Sequence, residues 1–272
     1  MLPTAMSTKT KPAILATGLA LTPALTVACS IAAPNIAIPT NTATILVFVA
    51  SVTVITASLF ALSHGSFSNT IAITITASAG TAVAGTAFAG VNSIAAIAVI
   101  NAALVGAGHG VGRAVGSRVE RAGHLLPACV VAASIDIASV MHPGGPTHAI
   151  LQSERAMELL TFSFPVFGSA AFAPSIGVGD MVFGALLLGA AVRHGLSTIR
   201  MAALIAAGLL IAGLLSAIFA RGVPALPAVA ACVILGFKQA RTLDRKDRWV
   251  AYLCMGVAVT IAVGVIATAF LP

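Results

Sequence analysis

Residues 201–220, MAALIAAGLLIAGLLSAIFA, lie between Arg200 and Arg221 without one ionisable side chain. A helix of that length is about 30 Å long, enough to cross the hydrocarbon of a bilayer. The pattern recurs on both sides: apolar segments fall at about 12–33, 43–63, 70–89, 91–111, 125–141, 176–192, 200–220, 223–238 and 250–271. All are expected to be helices, because an unpaired backbone group is too costly in hydrocarbon. The composition agrees. Of 272 residues, 14 are Lys or Arg and 7 are Asp or Glu, so 8% are charged, against roughly 25% in soluble domains. Hydrophobic residues make up 59% and mean hydropathy is +1.07. An ordinary water-soluble globule is excluded. The expected fold class is all-α, a polytopic membrane protein of about nine transmembrane helices, with no room for a sizeable extramembrane domain. Function must reside inside the membrane.

A net charge of +7 would suggest nucleic acid in a soluble chain. Here the basic residues flank apolar spans and act as orientation signals instead, so no nucleic-acid partner is expected. With the N-terminus cytoplasmic, that side collects Lys9, Lys11, Arg113, Arg118, Arg121, Arg193, Arg200, Lys238, Arg241, Arg245, Lys246 and Arg248. The other side keeps Arg155 and Arg221. This bias places the 142–175 connector outside, and the lack of sizeable soluble parts with a high Ala content is compatible with a multi-pass protein of a microbial plasma membrane. Trp249 beside Arg248 reads as an interfacial anchor. The stretch 159–174 is also apolar, and full crossing by it would invert every later span.

The first apolar segment is too long for a secretory h-region and reads as an uncleaved span. Val27, Ala28 and Cys29 faintly imitate a lipoprotein cleavage site, but Thr26 stands where an aliphatic residue is wanted. Cys29, Cys129, Cys232 and Cys254 stand singly, with no metal or disulfide spacing. Gly80, Gly85 and Gly90 suggest close backbone approach in the third and fourth spans. Gly106, Gly108, Gly110 and Gly112 mimic a phosphate loop, yet no strand precedes them and they close a membrane span.

Five of the seven acids lie in polar connectors; Asp136 and Asp180 lie within apolar segments. A carboxyl in a bilayer costs at least about 2.5 kcal/mol and faces a bundle interior or a wet cavity. Neither has a Lys or Arg in its own span, so each must find water, the other acid, or neutrality. They stand 44 positions apart in successive helices joined by one connector, which allows antiparallel neighbours and similar depth. Two adjacent carboxyls cannot easily both ionise, so the pair shares a proton and titrates as a unit. Such a pair can activate water against a peptide bond without metal or cofactor. A cation or proton pathway in a transporter or channel uses intramembrane acids equally well. Gly177 and Gly179 tip the balance toward an exposed backbone beside Asp180.

Three blocks occur in order: Ile135-Asp136, Gly177-Val178-Gly179-Asp180, and Pro224-Ala225-Leu226. With them the chain resembles the GxGD intramembrane aspartyl proteases, the presenilins and signal peptide peptidases, over about 130–240. His142-Pro143-Gly144-Gly145-Pro146, followed by Leu151-Gln152-Ser153-Glu154-Arg155, is similar to the presenilin connector. The resemblance implies a presenilin-like bundle in which Asp136 and Asp180 are the catalytic pair. It also implies that Gly177, Gly179, Pro224, Ala225 and Leu226 border the substrate, a transmembrane protein or peptide within the lipid bilayer. The chain departs from the family in having Ile135 for Tyr, and four spans before the first Asp helix where the family has five. An extra span follows the Pro-Ala-Leu helix. The basic cluster after that helix gives the orientation of signal peptide peptidases and a preference for type II substrates.

The expected organisation is therefore scaffold helices over 1–124, a catalytic region over 125–240, and a basic connector with a last helix over 241–272. No His-Glu-x-x-His or Gly-x-Ser-x-Gly occurs. His64, His109, His124, His142, His148 and His194 are each read as interfacial or connector histidines.

Overall fold

The computed structural model describes residues 11–65 and 93–270. The 70–89 segment, with Gly80, Gly85 and Gly90, lies outside them, as does Lys9. The order is α1 (Lys11–Ala32), α2 (Thr40–Ser63), α3 (Ile94–Gly116), α4 (Leu125–Met141), α5 (Pro146–Gln152), α6 (Glu154–Leu160), β1 (Thr161–Pro165), β2 (Phe172–Gly177), α7 (Val178–Arg193), α8 (Thr198–Phe219), α9 (Leu226–Gly236) and α10 (Arg248–Phe270). The protein is predominantly helical. Among the described residues, five helices, α2, α3, α4 with its preceding turn, α8 and α10, are long and apolar enough to cross a membrane.

One feature corrects the reading of the apolar segments and another refines it. The segment 223–238 is helical only over the 11 residues of α9, about 16 Å of helix, and its first residues are irregular backbone. The stretch 159–174 does not cross. It ends α6 and then folds back as the antiparallel hairpin β1–β2. Phe162 and Phe164 alternate with Thr161 and Ser163, and Pro165 and Pro174 oppose helix, so a strand is the local solution. Both phenylalanines are buried in the core. The hairpin tip, where Gly168 takes φ +85°, donates its N–H to Ala33 O at 2.8 Å.

α7 is deeply enclosed, with Met181, Phe183, Leu187 and Leu188 all buried. Its chief partner is α3. The contact runs along Gly108, Gly112 and Gly116, spaced by four on one face of α3. A methyl group at Gly108 would stand 2.8 Å from Met181 Cβ, and one at Gly112 would stand 2.7 Å from Ala185 Cβ. These glycines let two backbones meet, as small residues do between membrane helices. The cluster that imitates a phosphate loop is thus part of a packing ridge.

The basic helix ends gather at one end of the bundle. Arg113 Nη1 donates to Ser63 O at 3.1 Å, Arg193 donates to Ser117 O, and His194 Nε2 bonds Val119 O at 2.9 Å. Arg200 lies over the Phe237 ring at 5.3 Å. Arg121 pairs with Asp244 and Asp247, and His124 Nε2 sits 3.0 Å from Asp247 Oδ2. One reading is corrected here: His109 is buried inside α3 beside Arg113, where an interfacial place was expected. The outward faces of α8 and α10, including Leu214, Ile218, Val257 and Ile261, are exposed and apolar, the surface that lipid solvates.

Gly112→Leu should lower unfolding stability by about 1–3 kcal/mol, the cost of overpacking. Gly256→Leu, on α10 where an added Cβ meets nothing within 4 Å, should leave it nearly unchanged. Thermal unfolding of both variants in detergent makes the comparison. A second outcome concerns pH. The His124 hydrogen bond, with Arg121 nearby, holds the Asp247 carboxyl below its ordinary value. A carboxylate depressed by folding stabilises above its unfolded pKa of about 3.9 and loses that contribution as pH falls through the lower folded value. The α4–α10 junction should therefore loosen only below about pH 4, and in Asp247→Asn this acid step should vanish from a stability-versus-pH series.

Candidate active site

Asp136 projects from α4 past its midpoint and is half-buried. Its Oδ2 accepts a hydrogen bond from the Leu226 N–H at 2.9 Å, and the Ala225 N–H faces the same carboxyl. The cause lies in α9. Its first N–H groups have no intrahelical acceptor, its N-cap residue Ala225 supplies no side-chain cap, and Pro227 has no N–H to offer. Asp136 therefore caps α9 from another helix, and a carboxyl is well placed at the positive end of a helix. The segment before α9 is held separately: Ser216 accepts the Arg221 N–H on its carbonyl at 3.3 Å and the Val223 N–H on Oγ at 3.1 Å.

Asp180 is the third residue of α7. Gly177 ends β2 and is the N-cap of α7, with extended backbone and no side chain to cap with. The Asp180 carboxyl faces back toward the Gly177 N–H, the direction in which the N3 side chain of a capping box points. A Cβ on Gly177 would lie 3.6 Å from Asp180 Oδ2, whereas one on Gly179 would meet nothing within 4 Å. Gly179 thus lies on an exposed face at the start of α7. Gly177 belongs to a strand end and α7 starts at Val178, slightly later than the expected start at 176.

The fold brings the sequence-predicted residues together. Asp136 and Asp180 act on each other electrostatically, and α4 touches α7. Leu226 and Ala225 stand at Asp136, with Pro224 immediately before them. Both acids lie toward the bundle end opposite the basic cluster. After α4 the chain reverses at once: Gly145 N–H donates to His142 O at 2.8 Å, and Thr147 N–H to Ser139 Oγ at 3.0 Å. Gly145 is needed there, since a methyl group would stand 2.9 Å from the Ser139 carbonyl carbon.

Sequence reasoning missed Asn101 and Ser216. Asn101 is a lone amide in an apolar span, which was a legible signal because such residues seek partners across helices. It is fully buried and grips the hairpin backbone at Ser163. Ser216, in the last turn of α8, carried no comparable mark. No family model matches the chain, and no curated protein or solved structure matches it.

Asp136→Ala should free the α9 amides, speeding hydrogen exchange at Leu226 and costing about 0.5–2 kcal/mol, as loss of a cap does. Asp136→Asn keeps an acceptor and should hold Leu226 exchange near that of the parent chain. Equal exchange in all three would mean that the carboxyl does not cap α9.

Proposed function

We propose that this chain is an intramembrane aspartyl protease of the presenilin and signal peptide peptidase type. The observation that carries the reading is that Asp136 and Asp180, 44 positions apart, stand on touching helices within each other's electrostatic reach, with the start of the Pro224-Ala225-Leu226 helix bonded to one of them. The pair holds one proton. One carboxylate takes a proton from water as the water oxygen attacks the scissile carbonyl carbon, and the other acid protonates the carbonyl oxygen. Collapse breaks the C–N bond with proton delivery to the nitrogen. Gly179 leaves room beside Asp180 for substrate. Gly177, Pro224, Ala225 and Leu226 border the same place. A two-stranded sheet leading straight into the acid is the kind of element on which an extended peptide is held by backbone pairing.

On this reading the chain crosses the membrane about nine times, with the short α9 and the irregular backbone before it making one crossing together. The substrate is a transmembrane segment of another protein, in type II orientation. The N-terminus and the basic bundle end face the cytoplasm of a microbial cell.

The discriminating variants are Asp136→Asn and Asp180→Asn, because amides keep the caps and remove the acid–base chemistry. Cleavage of a transmembrane peptide by the purified, folded chain should fall about 10²–10⁴-fold in each, and the parent should have a bell-shaped pH profile. Full proteolysis by either variant would sink the proposal. Ion flux in sealed vesicles that depends on either acid, without peptide products, would establish a transporter in its place.

A further inference from the structure

We infer that Asn101 is a positioning residue of this site: its side-chain amide sets where the β1–β2 hairpin ends, and so where Asp180 is delivered opposite Asp136. The inference rests on the proteolytic reading above. Asn101 lies in α3 and is fully buried. Its Nδ2 donates to Ser163 O at 2.7 Å, and its Oδ1 accepts the Ser163 N–H at 3.0 Å. Both backbone groups of one β1 residue are thus met by one amide, as a neighbouring strand would meet them. A third bond, Nδ2 to Thr26 Oγ1 at 3.2 Å, fixes the amide to α1, and Thr26 Oγ1 itself donates to Thr22 O at 2.9 Å.

The grip falls where the ladder is least determined. Phe162 pairs with Ile176 but Ser163 pairs with Pro174, so the register shifts between them. Ser175, left over on β2, is held by Ser51 Oγ at 3.1 Å. A bulged hairpin of five and six residues is weakly specified, and a slip of one residue moves the strand end by about 3.3 Å. Gly177 is that strand end, and Asp180 follows three residues later. Misplacement of a reacting group by about 1 Å costs of order 10²-fold in rate. The amide at Ser163 removes the slip without touching substrate.

The test uses the full chain, with kinetics on a transmembrane peptide and mass spectrometry of the product ends. Asn101→Leu removes all three bonds at similar volume. Asn101→Asp is isosteric, keeps the acceptor, and decides the matter if the Leu variant does not fold. Both should lower kcat at least tenfold with KM within twofold, and both should broaden the product ends. Thr26→Val, which leaves the Ser163 pair intact, should preserve them. Unchanged kcat and product ends in the folded Asn101 variants, while Asp136→Asn is inactive, would overturn the positioning role alone. So would an equal broadening in Thr26→Val. Cleavage by Asp136→Asn at the parent rate would instead remove the proteolytic reading itself.

Discussion

A helix that begins inside hydrocarbon leaves its first amides with no water to turn to, and some group of the protein must accept them. The centre of this molecule follows from that requirement. α7 and α9 both start within the bundle, and neither carries a side chain at its N-cap that could satisfy it. α9 is served by Asp136 from across the bundle, and α7 carries an acid, Asp180, at its third residue, facing back toward the N-cap amide. Backbone demand at the start of α9 thereby fixes the Asp136 carboxyl, and Asp180 lies within its electrostatic reach.

The same demand explains why α9 is short. Pro224 and Pro227 bracket its start and withdraw two N–H groups, so helix cannot propagate backward through 221–225. That irregular backbone is tolerated because Ser216 takes the Arg221 and Val223 amides. Depth is set elsewhere, by α7 seated backbone to backbone on the α3 glycines. The acid on α7 inherits a position fixed at both ends, by Gly108, Gly112 and Gly116 below it and by the hairpin above it.

The helices and the acids were legible because they depend on local signals. A segment such as 125–141 begins and ends in the structure where its hydropathy does, and a carboxyl in an apolar run announces itself. What stayed hidden depends on partners distant in sequence. The hairpin was obscured because Phe162, Phe164, Val166 and Phe167 raise hydropathy as a helix would, and only the alternation and the prolines argue otherwise. His109 lies close to Arg113 in sequence and so resembled a span end, yet the helix continues past it and buries it. The glycines of α3 were visible, but their purpose is defined by α7, some seventy positions later.

Capping alone does not account for the choice of acids. A neutral Asn or Ser at the same place accepts a backbone N–H nearly as well, and a cap contributes about 0.5–2 kcal/mol. An Asp in a bilayer costs at least about 2.5 kcal/mol on insertion scales, and this bundle carries two of them within each other's field. The second acid makes the first more expensive, because like charges oppose joint ionisation. If the carboxyls served only to close helix ends, the arrangement would lose free energy that a pair of amides would keep. Each carboxyl has two oxygens, and the bond from Leu226 engages Oδ2 of Asp136. The cap orients the Asp136 carboxyl, and on the proteolytic reading proposed above the proton transfer asked of it is one that an amide could not perform.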